Sequence, residues 1–183
     1  MRFAIALLTF AFAAAISGDA GAASVYTKID DAGCKVIQTY EDGGSDMVCP
    51  GHDGLDVLVS EGDARLDVDF GFKGEHFETF SAFNSIGDTV EWLTNAMGVP
   101  EAAIIRYYIS VDGREAQALV ISRVNTESQD GCVIGVVDAK LEQANGIARG
   151  IGAMAPTFDC AIDPVVIAPG ASELVRGFTG RNS

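Results

Sequence analysis

The stretch that decides the fold is "AAIIRYYISVDGREAQALVISRV", residues 102–124. It consists of two runs rich in β-branched and aromatic residues, 102–111 and 114–124, on either side of Asp112-Gly113. Asp-Gly between two such runs is the strongest short signal for a β-hairpin, because both turn residues must adopt positive φ. The sequence therefore predicts an antiparallel hairpin here, and the rest of the chain is interpreted outward from it.

Further strand candidates lie on both sides of this hairpin. Residues 55–61 and 64–72 alternate apolar and polar side chains, which is typical of half-buried strands. The Gly62-Asp63 pair between them predicts a second tight turn. The remaining strand candidates are residues 34–40, 89–94 and 132–139.

The period of the pattern changes after the last of these strands. From Leu141 to Pro156 the apolar residues recur at the spacing of a helix face. Many strands followed by one helix predict an α+β domain, an antiparallel β-sheet of about six to eight strands with one C-terminal helix packed on it. We assign this single domain to residues 23–163, and the prolines and glycines of residues 164–183 predict a loosely ordered C-terminal tail.

Residues 1–22 have the features of a secretory signal peptide. A positive Arg2 precedes a long apolar run, and the ending Ala20-x-Ala22 suits a signal peptidase. The apolar run is too short for a comfortable membrane span. We therefore expect a periplasmic or secreted chain that begins at Ala23 and has no membrane span after signal cleavage.

Four cysteines follow the signal: Cys34, Cys49, Cys132 and Cys160. An even number in an oxidising compartment predicts two disulfides, for which three pairings exist. We favour Cys34–Cys49 and Cys132–Cys160, because the first pair brackets one hairpin and the second brackets the last strand with its helix. The alternative is a zinc site that uses Cys49 and His52, but no second ligand pair has a matching spacing.

The chain carries a formal net charge of −14, with acidic residues spread along its length. Such a field repels nucleic acid and anionic lipid head groups and attracts cationic partners. The charge therefore argues against nucleic-acid binding. It is compatible with a cationic protein or an envelope component as the partner.

No sequence motif predicts a catalytic residue, a cofactor or a metal site. The chain has no nucleophile elbow, no phosphate-binding loop and no zinc-protease helix. The run "GIGAMA" (150–155) has dinucleotide-loop spacing, but it lies within the helical pattern rather than at a strand-to-helix turn.

Acidic residues around the second predicted hairpin leave two alternatives open. Asp67 and Asp69 share one strand face with Arg65, and the alternation predicts that this face is solvated. Together with Glu61 and Asp63, these carboxylates would suit a carboxylate-dependent hydrolase. They would also suit a calcium-stabilised structural protein, because Ca²⁺ takes several oxygen ligands.

Residues 72–88 lack a clean strand period and form a long connection. Because long structured loops often carry function, this segment supplies the candidate binding loop. Its proposed members are Phe72, His76, Phe77, Phe80 and Phe83. The alternative is that these rings only pin the loop onto the sheet.

One cross-strand contact is also predicted. If the turn between residues 89–94 and 102–111 is centred between Gly98 and Val99, Glu91 lies opposite Arg106. The two side chains would then form an ion pair across the hairpin.

Four runs of the chain resemble a family of uncharacterised secreted proteins of Gram-negative bacteria. These runs are "CPGHDGLDVLVSEGDARLDVDFG" (49–71), "FNSIGDTVEW" (83–92), "IIRYYI" (104–109) and "DGCVIGVVDA" (130–139). The resemblance extends over nearly all of the mature chain up to Cys160, and it implies export and no catalytic residue. The sequence as a whole predicts an exported, disulfide-stapled, acidic and non-enzymatic module that binds a protein or a cell-envelope component.

Overall fold

The computed structural model describes residues 23–30, 32–41 and 43–180. The predicted signal peptide, residues 1–22, lies outside the described residues. The strands are β1 (Ala23–Lys28), β2 (Lys35–Thr39), β3 (Ser45–Pro50), β4 (Asp56–Gly62), β5 (Arg65–Phe70), β6 (Thr79–Phe80), β7 (Phe83–Thr94), β8 (Pro100–Val111), β9 (Arg114–Arg123), β10 (Cys132–Asp138), β11 (Val166–Ile167) and β12 (Phe178–Thr179). The α-helices are α1 (Ala144–Gly152) and α2 (Glu173–Arg176), and a 3₁₀ turn spans Ala155–Thr157.

The strands form three sheets. The large sheet has the order β1-β7-β8-β9-β10-β11, the four-stranded sheet has the order β2-β3-β4-β5, and β6 pairs with β12. A mostly β chain with a short helix after the last long strand was predicted. The predicted number of about six to eight strands is wrong, because the described residues form twelve strands in three sheets. Three of these strands have two residues each, which is too short for an alternating pattern to reveal.

One strand pair in the large sheet is parallel. Gly135 and Val136 of β10 pair with Val166 and Ile167 of β11, and α1 lies in the connection between the two strands. The prediction of a purely antiparallel sheet is therefore wrong at this edge. It rested on the view that no helix lies between strands, whereas the C-terminal helix is itself the crossover that parallel pairing needs.

Two hydrophobic cores divide the molecule into three layers. The first core lies between the four-stranded sheet and the large sheet, where the rings of Phe70 and Trp92 meet edge to face with centroids 5.4 Å apart. The second core lies between the opposite face of the large sheet and α1, where Ile104 and Ile121 pack with Ile151. The large sheet is consequently the central layer.

Helix α1 is shorter than the pattern from Leu141 to Pro156 predicted. Gln143, directly before it, has a left-handed backbone conformation with φ 62°, so the residues that precede it belong to a turn. At its other end, Gly152 lies so close to Leu93 that a Cβ atom there would overlap the leucine side chain. Glycine weakens a helix but here allows the backbone of α1 to approach the sheet.

The segment predicted as a loosely ordered tail has regular structure in its described part. Residues 164–180 contain β11, α2 and β12. Val175 is fully buried, and the ring of Phe178 packs edge to face on Phe80 with centroids 5.1 Å apart. Single apolar residues between prolines and glycines thus anchor this segment, although they form no periodic pattern.

Both predicted disulfides are present. Cys34 pairs with Cys49 and Cys132 pairs with Cys160, with Cα–Cα distances of 4.1 Å and 5.9 Å. The sulfur of Cys49 is therefore not a zinc ligand in this structure. None of the helices in the described part of the chain has the length and apolar character needed to cross a bilayer.

The predicted ion pair between Glu91 and Arg106 is wrong. Glu91 lies opposite Ile104, and Arg106 lies opposite Leu119 of β9. The pairing between β7 and β8 is displaced by two residues from the predicted one, because the hairpin loop closes between Asn95 and Val99 instead of being centred between Gly98 and Val99. The carboxylate of Glu91 instead accepts a hydrogen bond from Nε of Arg149 on α1, at 2.6 Å.

Candidate functional site

The residues of the candidate binding loop do not form one surface. Phe80 is fully buried and packs against Tyr107, with ring centroids 5.4 Å apart. Phe72 is exposed at the end of β5, and Phe77 is exposed near Gly62. The rings therefore separate into one core residue, Phe80, and exposed side chains at distinct places.

Two loop residues line cavities. His76 borders a cavity of about 330 Å³ next to Glu78 and the Cys132–Cys160 disulfide. Phe83 is the first residue of β7 rather than a loop residue, and it lines a groove of about 750 Å³ on the large sheet. Among the five residues of the candidate binding loop, only Phe83 lines this larger groove.

The acidic face of β5 is not solvated as predicted. Residues 74–78 lie over it, and Asp67 is only 4% exposed. The backbone N–H of Gly74 donates to Oδ2 of Asp69 at 2.8 Å, and the backbone N–H of Glu78 donates to the Asp67 carboxyl group. An Oε atom of Glu78 accepts the N–H of Val133 on β10 at 2.7 Å. Hydrogen bonds to the carboxyl groups of Asp67, Asp69 and Glu78 thus connect residues 74–78 to the four-stranded sheet and to the large sheet.

Burial and mutual repulsion alter the acidity of these carboxyl groups. Burial, with the neighbouring charges of Asp69 and Glu78, raises the pKa of Asp67 from 3.8 to about 8. Burial and the charge of Glu78 raise the pKa of Asp69 to about 6, against the hydrogen bond from Gly74. Near neutral pH the group therefore holds at least part of its protons, but the loop above it keeps a substrate from Asp67.

The cluster is not arranged as a metal centre. In the part of the chain that the structure describes, no group of three or more His, Cys, Asp or Glu side chains has a metal-binding arrangement. The carboxylates of Asp67 and Asp69 are directed to backbone N–H groups of the loop. Their observed role is to hold residues 74–78 in place.

The larger opening lies on the face of the large sheet that packs against α1. Along β8, Ile104, Arg106, Tyr108 and Ser110 point to this face, because side chains alternate along a strand. Ile104 lies in the core beneath α1, whereas Arg106, Tyr108 and Ser110 line the open groove beyond the helix. The helix therefore covers only one end of this face, and the other end is open.

Cross-strand register shows how the open end is built. Phe83 of β7 lies opposite Ser110 of β8, and Ser85 lies opposite Tyr108. Tyr108 lies in turn opposite Gln117 of β9. We use the name sheet groove for the surface formed by Phe83, Ser85, Arg106, Tyr108, Ser110 and Gln117.

Two rings and several polar groups face into the sheet groove. Phe83 is 55% exposed and Tyr108 is 43% exposed, and they are diagonal neighbours across the β7–β8 pair. Arg106 donates from Nη1 to Oε1 of Gln117 at 3.1 Å. The surface thus presents aromatic faces, hydroxyl groups, an amide and one guanidinium group on three paired strands.

A β-bulge widens the sheet next to Arg106. Ile86 pairs with Tyr107 and Val90 pairs with Ile105, so that residues 87–89 stand opposite Arg106 alone. A smaller cavity of about 170 Å³ lies at this bulge, and Arg106 and Tyr108 line both it and the sheet groove. Bulges are frequent next to functional sites because they redirect side chains.

The sheet groove was not identified from the sequence, although a signal for it was present. On the α1 face of β8 the side chains change from Ile104 to the polar sequence Arg106, Tyr108 and Ser110. A strand face whose side chains change from apolar to polar halfway along is expected to be covered by the packed helix only over its apolar half. This change marks where the helix ends above the sheet.

No protein-family model matches this chain, and neither a curated protein nor a solved structure matches it. The resemblance to a family of secreted bacterial proteins therefore stays a prediction.

Proposed function

We propose that this protein is an exported, non-enzymatic module that binds a protein or a cell-envelope component, and that the sheet groove is its binding surface. The observation that carries this proposal is the pair of half-exposed rings, Phe83 and Tyr108, side by side in a groove of about 750 Å³. Aromatic side chains that stay exposed on a paired sheet are characteristic of binding surfaces.

The size and chemistry of the groove support recognition. Ligand sites usually enclose about 300 to 1,000 Å³ and combine apolar or aromatic walls with a few polar groups that set orientation. Here Phe83 and Tyr108 supply the walls, while Gln117 and Arg106 supply the polar groups. The groove is thus built to bind and orient a partner.

The rigidity of the surface also favours binding. All six groove side chains project from β7, β8 and β9, whose backbones pair along the large sheet. A preformed surface loses little conformational entropy when a partner binds. Binding through this sheet would therefore need less rearrangement than binding through a loop.

Export of the module rests on the signal-like residues 1–22 and on the two disulfides. Disulfides form and persist in oxidising compartments such as the bacterial periplasm. The net charge of −14 would keep nucleic acid away from the surface around the groove. A cationic protein would approach this surface faster than a neutral one.

A carboxylate-dependent hydrolase is the second candidate. The raised pKa values of Asp67 and Asp69, about 8 and about 6, favour it because acid–base catalysis needs carboxyl groups that titrate near neutral pH. Residues 74–78 would have to lift from β5 before a substrate reached Asp67. The binding proposal needs no such movement, and we rank it first.

The test compares two phenylalanines that are equally exposed. Phe83 (55% exposed) lines the groove, whereas Phe72 (54% exposed) lies outside it. Amide NMR spectra of the mature chain would be recorded while size-fractionated envelope extract is added. We expect saturable shifts of groove amides that Phe83→Ala weakens at least about tenfold and Phe72→Ala leaves unchanged.

The same NMR titrations can also contradict the proposal. Equal losses in Phe72→Ala and Phe83→Ala, or shifts confined to residues 72–80, would place binding on the loop instead. Hydrolysis products in the extract that vanish in Asp67→Asn would support the second candidate.

A further inference from the structure

Arg106 has no carboxylate partner among the described residues, although the protein is strongly acidic. Its guanidinium group makes one described side-chain hydrogen bond, from Nη1 to the neutral amide of Gln117. It lies at the junction of the sheet groove and the cavity at the bulge, where it lines both openings. A cation in this position faces an open space rather than a counterion.

The two carboxylates that line the small cavity with Arg106 already have other cations as partners. Asp88 in the bulge accepts a hydrogen bond from Nζ of Lys28 at 2.8 Å. Glu91 accepts one from Nε of Arg149 at 2.6 Å. Neither Asp88 nor Glu91 forms an ion pair with Arg106. The charge of Arg106 is therefore left for a ligand.

Two further charged residues, Glu115 and Lys140, line the sheet groove. Glu115 stands opposite Ser110, four residues along β8 from Arg106, which is about 13 Å at the rise of a strand. Lys140 lines the same groove and follows Ala139, whose N–H donates to the carbonyl oxygen of Gln117. Glu115 thus lies too far along the strand to compensate Arg106.

We propose that the sheet groove recognises a carboxylate attached to an apolar or aromatic body, with the carboxylate on Arg106 and the body against Tyr108 and Phe83. This inference rests on the proposed function and names the ligand chemistry of the same groove. Gln117 occupies one nitrogen of the guanidinium group, which leaves the rest of its donors for the two oxygens of a carboxylate. The free carboxyl end of an apolar peptide and a small aromatic acid share this chemistry.

The overall charge favours a carboxylate over a phosphate. Each further negative charge on a ligand is repelled by a protein of net charge −14. A carboxylate carries one charge, whereas a phosphate monoester carries nearly two at neutral pH. The groove is therefore expected to prefer the monoanion.

Phenylacetate is the probe, and phenylacetamide is its neutral control of equal size. Both would be titrated in the millimolar range into the mature chain, with amide NMR shifts of β7, β8 and β9 as the readout. We expect phenylacetate to bind at least about tenfold more tightly than phenylacetamide, because it makes a charge-assisted hydrogen bond. Acetate, which lacks the ring, should bind more weakly than phenylacetate.

Variants then locate the carboxylate. Arg106→Gln should remove the preference for phenylacetate, and Arg106→Lys, which keeps the charge but not the planar donors, should retain part of it. Arg114→Gln is the matched control, since Arg114 is an exposed β9 arginine outside the groove that contacts Glu173. It should leave the preference unchanged.

Four outcomes would overturn the inference. Equal binding of phenylacetate and phenylacetamide, with both lost in Phe83→Ala, would leave the groove as a binding surface but remove the carboxylate. Tighter binding of phenyl phosphate than of phenylacetate would replace the carboxylate by a phosphate. A preference for phenylacetate over phenylacetamide that persists in Arg106→Gln would reject Arg106 as the recognition group, and so would the absence of groove shifts with phenylacetate.

A peptide arm distinguishes the two sources of the carboxylate. An apolar tripeptide with a free carboxyl end would be compared with the same peptide carrying a carboxyl amide. Tighter binding of the free acid than of phenylacetate would assign the groove to peptide ends. Tighter binding of phenylacetate would assign it to small aromatic acids.

Discussion

At the residue scale, Asp67 and Asp69 show how a nearby loop changes the chemistry of an exposed-looking face. Strand alternation correctly predicts that they lie on one face of β5, while Val68 and Phe70 on the other face point into the core. Alternation does not reveal whether the other face meets water. That depends on residues 74–78, whose backbone N–H groups cover the two carboxyl groups. The raised pKa values are therefore a product of tertiary structure.

This arrangement predicts that stability falls as pH rises. The folded chain keeps protons on Asp67 and Asp69 above pH 3.8, where the unfolded chain has released them. The contribution of these groups to stability is thus fully present below about pH 4 and is lost as pH rises to about 8. Thermal melting followed by circular dichroism should give a melting temperature that declines across this window.

Asp67→Asn tests the cause of that decline. The amide is neutral at every pH, and its oxygen can still accept the N–H of Glu78. The variant should therefore keep only the decline due to Asp69, which ends near pH 6, and should melt above the wild type at the alkaline end of the window. Asp56→Asn, at an exposed position on β4, is the control and should retain the wild-type slope. A wild-type melting temperature that rises between about pH 5 and about pH 8 would contradict the account.

At the element scale, the hairpin turns show what local sequence determines. Asp112 and Gly113 have φ angles of 52° and 73°, as the dipeptide predicted, and Val111 pairs with Arg114 across the turn. In the β4–β5 turn the two positive-φ residues are Asp63 and Ala64, one position later than Gly62-Asp63 predicted. Turn chemistry thus located both hairpins, the second to within one residue.

Register between strands was less predictable than the strands themselves. The bulge at residues 87–89 and the shift at Thr94 change which residues of β7 and β8 face each other. Nothing in the local sequence counts the extra residues of a bulge. The hairpin loop also closes between Asn95 and Val99 rather than around Gly98 and Val99, so Glu91, which was predicted to pair on β8, has its partner on α1.

The Cys132–Cys160 disulfide should stabilise the fold through the segment that contains α1. Replacing both cysteines by alanine, which leaves no free thiol, should lower the free energy of unfolding in urea by about 3.6 kcal/mol for a loop of 28 residues. Amide exchange of α1 should become faster, because the chain after the helix is no longer tied to the start of β10.

The Cys34–Cys49 pair provides the matched control for this prediction. Its loop of 15 residues lies in the four-stranded sheet, and the double alanine variant should lose about 3 kcal/mol. Amide exchange of α1 should stay unchanged in that variant. An unaltered free energy of unfolding without Cys132–Cys160 would reject the predicted stabilisation.

At the scale of the whole molecule, the position of the sheet groove follows from the order of the layers. The large sheet lies between the four-stranded sheet and α1, so one face is covered along its length and the other only in part. The sequence predicted β8, β9, β10, the second half of β7, the helix after them and both disulfides, whereas it assigned residues 83–88 of β7 to a loop. It did not predict the sheet groove, because the groove depends on which part of β8 and β9 the helix leaves uncovered.

The assignment of residues also changes at this scale. The candidate binding loop was chosen because its phenylalanines are close in sequence. Packing then separates them, with Phe80 in the core, Phe77 near Gly62 and Phe83 in the groove. Arg106 and Tyr108 join Phe83 from β8, where sequence analysis had assigned Arg106 only to an ion pair with Glu91. Phenylalanines that are close in sequence therefore do not share one surface in the folded chain.

Photocrosslinking tests most directly whether the sheet groove is the binding surface. A benzophenone amino acid would replace Phe83 in one variant and Phe72 in another, since the two side chains are equally exposed. After irradiation with envelope extract, position 83 should give a discrete adduct that Arg106→Gln diminishes, and position 72 should give none. Adducts from position 72 alone, or none from position 83, would contradict the proposal.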